Sequence, residues 1–294
     1  MPSTTAPTTN NIGLPIGIRV FGLHRRLQLS HYRVLVLVLT FFSYTAYHLS
    51  RRPLSVVKNV LSRNCSQMVI PPDVILTNTT QNNWCDWQPF NGTDANTLLG
   101  LLDSSFLFSY AIFMFFSGFV AERCHLRYFL SLGMLLSGLF TYAFGIAFYY
   151  DIHSFYYFIF IQIICGALQT TGWPAVVSSV GNWFGKGSRG LIFGIWNSHT
   201  NVGNILGAVI AGYFVEYNWG LSFIAPAIFI SIAGFTLFLF FTPYPEEVGI
   251  SSFDIDSNTN RRTREPFDSI RETSGYTDNN ESISSTCSSA SAPT

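Results

Sequence analysis

Two adjacent arginines, Arg51 and Arg52, interrupt a run that is otherwise largely apolar, Tyr47-His-Leu-Ser-Arg-Arg-Pro-Leu-Ser-Val-Val-Lys58. A charge at mid-bilayer costs about 2.5–3.5 kcal/mol even on insertion scales, so an intramembrane pair needs a reason. Two readings compete. In one, the apolar stretch ends at the pair and both side chains snorkel to the headgroups. In the other, Leu54, Val56, Val57, Val60 and Leu61 carry the helix onward, and the polar residues fall into stripes. Tyr44, Tyr47, Arg51, Ser55 and Lys58 step by three or four, with Thr45, His48, Arg52 and Asn59 alongside. Such a stripe suits a wet cavity, not lipid. Guanidinium is permanently charged and its planar fork matches phosphate oxygens two at a time, so this reading expects an anionic, phosphorylated cargo. Arg51 and Arg52 would bind it, with Tyr44, Tyr47 and His48 lining the cavity.

Amides form the second set. Gln162, Gly166, Gln169 and Trp173 share one helical face, and Asn197, Asn201 and Asn204 share another. A polar wall for a hydroxylated ligand and plain interhelical hydrogen bonding are equal readings of these amides. Gly203, Gly207 and Ala211 make a small-xxx-small strip suited to close helix packing. In a short turn, Gly118-Phe-Val-Ala-Glu122-Arg123-Cys-His-Leu-Arg127 joins a small residue to an acid and bases, a charge network able to lock or release a gate. An ordinary basic turn is the plainer reading. There is no Walker loop, HExxH or nucleophile elbow, and His48, His125, His153 and His199 have no metal-ligand spacing. No enzyme, metal site or cofactor is expected.

The elements that must position these residues are membrane helices. Of the 294 residues 48% are apolar, 16% aromatic and only 11% charged, against roughly 25% charged in average chains, which excludes an ordinary water-soluble globule. Six stretches without Asp, Glu, Lys or Arg stand out, at 34–50, 104–121, 128–150, 154–185, 190–215 and 217–245. They meet or approach the ~20 residues that a helix rising ~1.5 Å per residue needs to cross ~30 Å of hydrocarbon. None alternates with the period of a barrel strand, so the expected fold is an all-α integral membrane bundle of six helices. A Pro/Thr/Asn stretch follows Met1 in place of a charged n-region, and the first span is expected to be retained.

Lys and Arg cluster on alternate connections: Arg19, Arg25, Arg26 and Arg33 before span one, Arg123 and Arg127 after span two, Lys186 and Arg189 after span four. The connections at 151–153 and 216–219 have none, which places both termini in the cytosol. The expected organisation is a cytosolic segment 1–33, a bundle 34–242 with a luminal loop 63–97, and a disordered cytosolic tail 243–294, where Ser, Thr, Asn and charged residues take over. The loop holds three glycosylation sequons, Asn64-Cys-Ser, Asn78-Thr-Thr and Asn91-Gly-Thr. It also holds Cys65 and Cys85, which either pair in an oxidising lumen or stay free thiols.

The turn from Gly118 to Arg127 resembles the loop signature of the major facilitator superfamily, with His125 in place of its second Gly and Leu126 in place of a basic residue. Tyr47-His-Leu-Ser-Arg-Arg-Pro-Leu-Ser-Val-Val-Lys, Trp84-Cys-Asp-Trp-Gln-Pro-Phe, Gln169-Thr-Thr-Gly-Trp-Pro, Gly181-Asn-Trp-Phe-Gly-Lys and Trp196-Asn-Ser-His-Thr together resemble the sugar phosphate exchangers within it, a branch of the organophosphate:phosphate antiporters. The similarity covers about 33–249. It implies the six-helix N-terminal half of that fold and an endoplasmic reticulum location. It also implies exchange of a sugar phosphate such as glucose 6-phosphate for inorganic phosphate, with Arg51 as the family's phosphate-binding arginine and Arg52 in the neighbouring basic position. Met114 and Asn182 stand where the bacterial glycerol-phosphate antiporters have Lys and His, so bacterial-type proton coupling is not implied. Because the implied fold has two six-helix halves, the expected partners beyond cargo and bilayer are a second half-transporter chain or a full-length relative, and no nucleic acid. The alternative is a truncated, non-transporting membrane protein that acts by association with a full-length relative. Arg51-dependent flux in liposomes separates the two.

Overall fold

The computed structural model describes residues 13–23, 27–63, 87–184 and 189–250. These form α1 (Ile16–Val20), α2 (Leu29–Arg51), α3 (Pro53–Leu61), α4 (Ala95–Ala121), α5 (Leu126–Ile146), α6 (Phe155–Gln169), α7 (Gly172–Trp183), α8 (Arg189–Trp196), α9 (His199–Phe214) and α10 (Trp219–Phe240). The all-α expectation holds for them. Asn64, Asn78, Cys65, Cys85, Arg25, Arg26 and Lys186 lie outside the described residues, as does 251–294.

Five stretches are long and apolar enough to cross a membrane: Leu29–Leu61, Ala95–Ala121, Leu126–Ile146, Phe155–Trp183 and Trp219–Phe240. The expected fifth span, 190–215, is built of α8 and α9, of 8 and 16 residues, with a break at Asn197 and Ser198. Neither half alone reaches the bilayer length. Short backbone bonds, Ser198 N to Ile195 O and Thr200 N to Asn197 O, tighten the chain there.

Two further breaks have proline as their cause. Pro53 has no N–H to give the carbonyl of Leu49, so α2 ends at Arg51 and α3 starts afresh. Pro174 likewise frees the carbonyl of Thr170, and Ser117 Oγ of α4 donates to it at 2.8 Å. In lipid every freed backbone group needs such a substitute.

The helices pair closely, α5 on α10, α4 on α6 and α2 on α9. Glycines permit the last of these: a Cβ on Gly203 would lie 2.5 Å from Thr45 O, and one on Gly207 2.6 Å from Leu49 O. The small-residue strip is therefore a packing seam. α4 presents Phe108, Phe115, Phe116 and Phe119 outward, all at least 59% exposed. Such an aromatic face belongs against lipid.

Two expected boundaries move. α2 begins at Leu29, so Arg33 is inside a helix, its Nε donating to Trp183 O at 3.0 Å. At the other end residues 243–250, expected to open the disordered tail, pack on the bundle. Trp183 Nε1 donates to Thr242 O (2.8 Å) and Asn182 Nδ2 to Pro243 O (3.1 Å). A short 3-10 helix, Pro245–Val248, follows and ends at Gly249, whose φ of 76° lies in the left-handed region. The polar composition that suggested disorder includes Glu247, whose carboxylate a buried arginine requires.

Candidate functional site

Arg51 ends α2 and Gln169 ends α6, so both sit on the last turn of a helix that breaks. Arg51 Nε donates to Gln169 Oε1 at 2.5 Å. The Gln169 amide, 2% exposed, also donates from Nε2 to Ser50 Oγ (3.3 Å) and Ser137 Oγ (3.1 Å). With both donors used toward serines, the oxygen faces the guanidinium. The guanidinium carbon lies 4.9 Å from the ring centre of Tyr110 and 5.6 Å from that of Phe106. Among the described residues Arg51 forms no ion pair, and its two terminal nitrogens make no hydrogen bond. Ser50, Arg51, Asp103, Thr141, Gln162 and Gln169 line a cavity of about 50 Å³ here.

Arg52 does not share this cavity. Successive helical residues point about 100° apart. Arg52 is exposed and its Nε donates to Asn204 Oδ1 of α9 at 2.9 Å. The two arginines expected to grip the phosphate together leave the helix on different faces, Arg51 toward Gln169 and Arg52 on an exposed face toward Asn204.

The other expected lining residues divide. Gln162 and Gln169 face the cavity. Tyr44 and Tyr47 are core residues at 5% and 1% exposure. The Tyr47 hydroxyl meets Thr171 Oγ1 (3.1 Å), and the Tyr44 ring packs edge-on to His199 (4.8 Å) and Trp196 (5.1 Å). His48 packs on His199, ring centres 5.5 Å apart, away from the cavity lining. A period of three to four residues places these groups on one helix without telling which neighbour covers them. Asn197 and Asn201 are exposed, and Asn204 is engaged by Arg52.

The turn after α4 also differs from expectation. A Cβ at Gly118 would meet nothing within 4 Å, so no close helix approach depends on it. Glu122 is exposed with no ion pair among the described residues, and Arg123 stacks its guanidinium 3.5 Å from the Phe119 ring centre. The charge network is built instead on Arg127, 3% exposed, which donates to Gly13 O (2.6 Å) and pairs with Glu247. His125 Nε2 stands 3.1 Å from the second carboxylate oxygen of Glu247. Burial pushes the Glu247 carboxyl up to about 7, against the opposing pull of Arg127. Burial and then Arg127 hold His125 below its ordinary value.

Three residues the sequence reading passed over complete the site. Ser50 and Ser137 hold Gln169, and Asp103, which lines the Arg51 cavity, pairs with Lys58. Asp103 had marked only the edge of the uncharged stretch 104–121. An acid eight residues into a 27-residue helix was the available signal. Asn91, in the remaining described sequon, is exposed.

A helical, multi-pass membrane architecture defines the class: an α-helical integral membrane bundle. The sequence profile of the Major Facilitator Superfamily matches residues 54–271, and the chain belongs to that superfamily. It is 56% identical over 223 residues to glucose-6-phosphate exchanger SLC37A2 of Danio rerio, covering 76% of this chain and 45% of the relative. Identity is 54% over 220 residues to that of Homo sapiens (74% and 44%) and 46% over 254 residues to glucose-6-phosphate exchanger SLC37A1 of Mus musculus (81% and 47%). The chain spans a little under half the length of these relatives. The resemblance to sugar phosphate exchangers read from the sequence agrees with them.

Proposed function

We propose that this chain serves the exchange of a sugar phosphate, such as glucose 6-phosphate, for inorganic phosphate across the endoplasmic reticulum membrane, with Arg51 holding the phosphate group. One observation supports this most: a guanidinium inside the bundle is held by a neutral amide and two ring faces, with no carboxylate paired to it. A half-buried guanidinium with no counter-ion leaves its charge uncompensated, and a phosphate monoester, about −1.5 to −2 at neutral pH, supplies the missing anion. Gln169 fixes the Nε edge, leaving the terminal nitrogens for phosphate oxygens.

The same charge explains exchange in place of one-way leakage. With an anion bound, the guanidinium has a counter-ion and the site can pass between the two faces of the membrane. Emptied, it carries an unscreened cation whose passage is disfavoured. The breaks after Arg51 and Gln169 put both residues at helix ends, as in transporter sites built from discontinuous helices. Arg52, with Asn204, lies on an exposed face, where it attracts the anion without holding it. The distribution of Lys and Arg supports cytosolic termini and a luminal, glycosylated 63–97 loop.

Liposomes loaded with inorganic phosphate and carrying this chain test the proposal. Uptake of radiolabelled glucose 6-phosphate is expected, none of glucose, with Arg51→Gln lowering uptake about 10- to 150-fold, the scale of losing charge-assisted contacts worth about 1.5–3 kcal/mol. Undiminished uptake in Arg51→Gln would defeat the proposal.

A further inference from the structure

We propose that Lys58 is a second phosphate-binding cation of the Arg51 cavity and that Asp103 is the internal anion that occupies it until cargo arrives; this rests on the reading of Arg51 above. Lys58 lies seven residues beyond Arg51, two turns and about 10 Å along the helix direction. Its ammonium is paired to Asp103, and Asp103 lines the cavity that contains Arg51. The pair therefore sits at the cavity rim. Both side chains are partly open, 27% and 44% exposed, so each has room to change partner.

Depth argues for function. α4 has 27 residues, about 40 Å against a ~30 Å hydrocarbon core. Asp103 lies about 12 Å from its start, so a centred helix puts it roughly 7 Å below the core's edge. An ion pair at that depth is a poor device for stability alone, because apolar residues of similar volume hold helices equally well. Next to an anion site it has a use. Arg51, Lys58 and Asp103 sum to one positive charge, less than a phosphate ester's charge. A cargo that takes the Lys58 ammonium from Asp103 gains a second cation, and the freed carboxylate, already 44% exposed, is rehydrated and repels the anion again on release. Asp103 thus keeps phosphate binding weak enough for turnover.

The test is equilibrium binding of radiolabelled inorganic phosphate to the purified full chain. Asp103→Asn is expected to tighten binding three- to tenfold, Lys58→Gln to weaken it by a similar factor, and the double variant to lose the tightening, which needs a free Lys58. Unchanged affinity in Asp103→Asn, or tightening that survives in the double variant, overturns the inference. A fall in melting temperature with affinity unchanged makes the pair a structural staple and overturns it too. Should Asp103→Asn not fold, Lys58→Gln against Lys58→Arg carries the test: affinity falls in the first and holds in the second, and equal affinity in both overturns it. Arg51→Gln separates the two readings. Binding lost there while Asp103→Asn is inert defeats only this inference, whereas binding kept there defeats the Arg51 assignment as well.

Discussion

Gln169 spends both amide hydrogens on Ser50 and Ser137 and its oxygen on Arg51, so an apolar isostere leaves the buried Ser137 hydroxyl and the Arg51 Nε without this partner. At about 1–3 kcal/mol for an unsatisfied group, Gln169→Leu is expected to lower the melting temperature and weaken phosphate binding together. Ser137→Ala, which removes one of two serine acceptors, should cost about 1 kcal/mol. Glu247 gives a pH prediction. Its folded-state carboxyl is raised to about 7, so its contribution is full below the ordinary carboxylate range and is lost as pH rises through about 7. His125 is shifted the other way, by burial and Arg127, and its contribution is lost as pH falls. Thermal unfolding of wild type against Glu247→Gln isolates the first effect: the difference should move against wild type between pH 5 and 7.5, and a constant difference contradicts it. Arg51 was legible in the sequence because a charge in an apolar run is costly wherever it points. Asp103 and Glu247 were not, since each stood at the edge of an apolar stretch, where an acid looks like punctuation. Serines left no signal, because a serine in a helix bonds the preceding turn as readily as a neighbouring amide.

Among the elements, two glycines of similar appearance in sequence have opposite consequences. Gly203 packs where a Cβ would lie 2.5 Å from Thr45 O and 2.7 Å from His48 Cβ, while Gly118 has open space. Gly203→Ala is expected to part α9 from α2 and reduce stability by at least 1–3 kcal/mol, the range for overpacking. Gly118→Ala should hold or raise stability by up to about 1 kcal/mol through helix propensity. Melting temperatures of the two variants in detergent check this directly. The strip holding Gly203 was readable from its four-residue spacing, and the breaks at Pro53 and Pro174 follow from proline's missing donor. The split between α8 and α9 was not readable, because Asn197 and Ser198 are tolerated in helices and only the packing of Trp196 and His199 on α2 fixes the turn. The twin-arginine stripe was half readable: spacing showed that Arg51 and Arg52 leave the same helix, and only the neighbours α6 and α9 decide that they part.

For the whole molecule, the orientation we propose from the alternation of basic connections is one that glycan mapping can check. Asn91 is exposed beside the buried Phe90, so expression in microsomes should add a glycosidase-sensitive glycan that Asn91→Gln removes, whereas no glycan at Asn91 would contradict a luminal loop. At the other end Arg127 joins Gly13 and Glu247 to the start of α5, so the segments flanking the bundle are tied to one face of it. The central claim is narrower than the fold: one interior guanidinium, not the general positive charge of the surface, holds the phosphate. Saturation binding of radiolabelled inorganic phosphate to purified wild type, Arg51→Gln and Arg52→Gln tests it most directly. Saturable binding should vanish in Arg51→Gln at an unchanged melting temperature and weaken less than tenfold in Arg52→Gln. Equal losses in both variants, or wild-type affinity in Arg51→Gln, would contradict it.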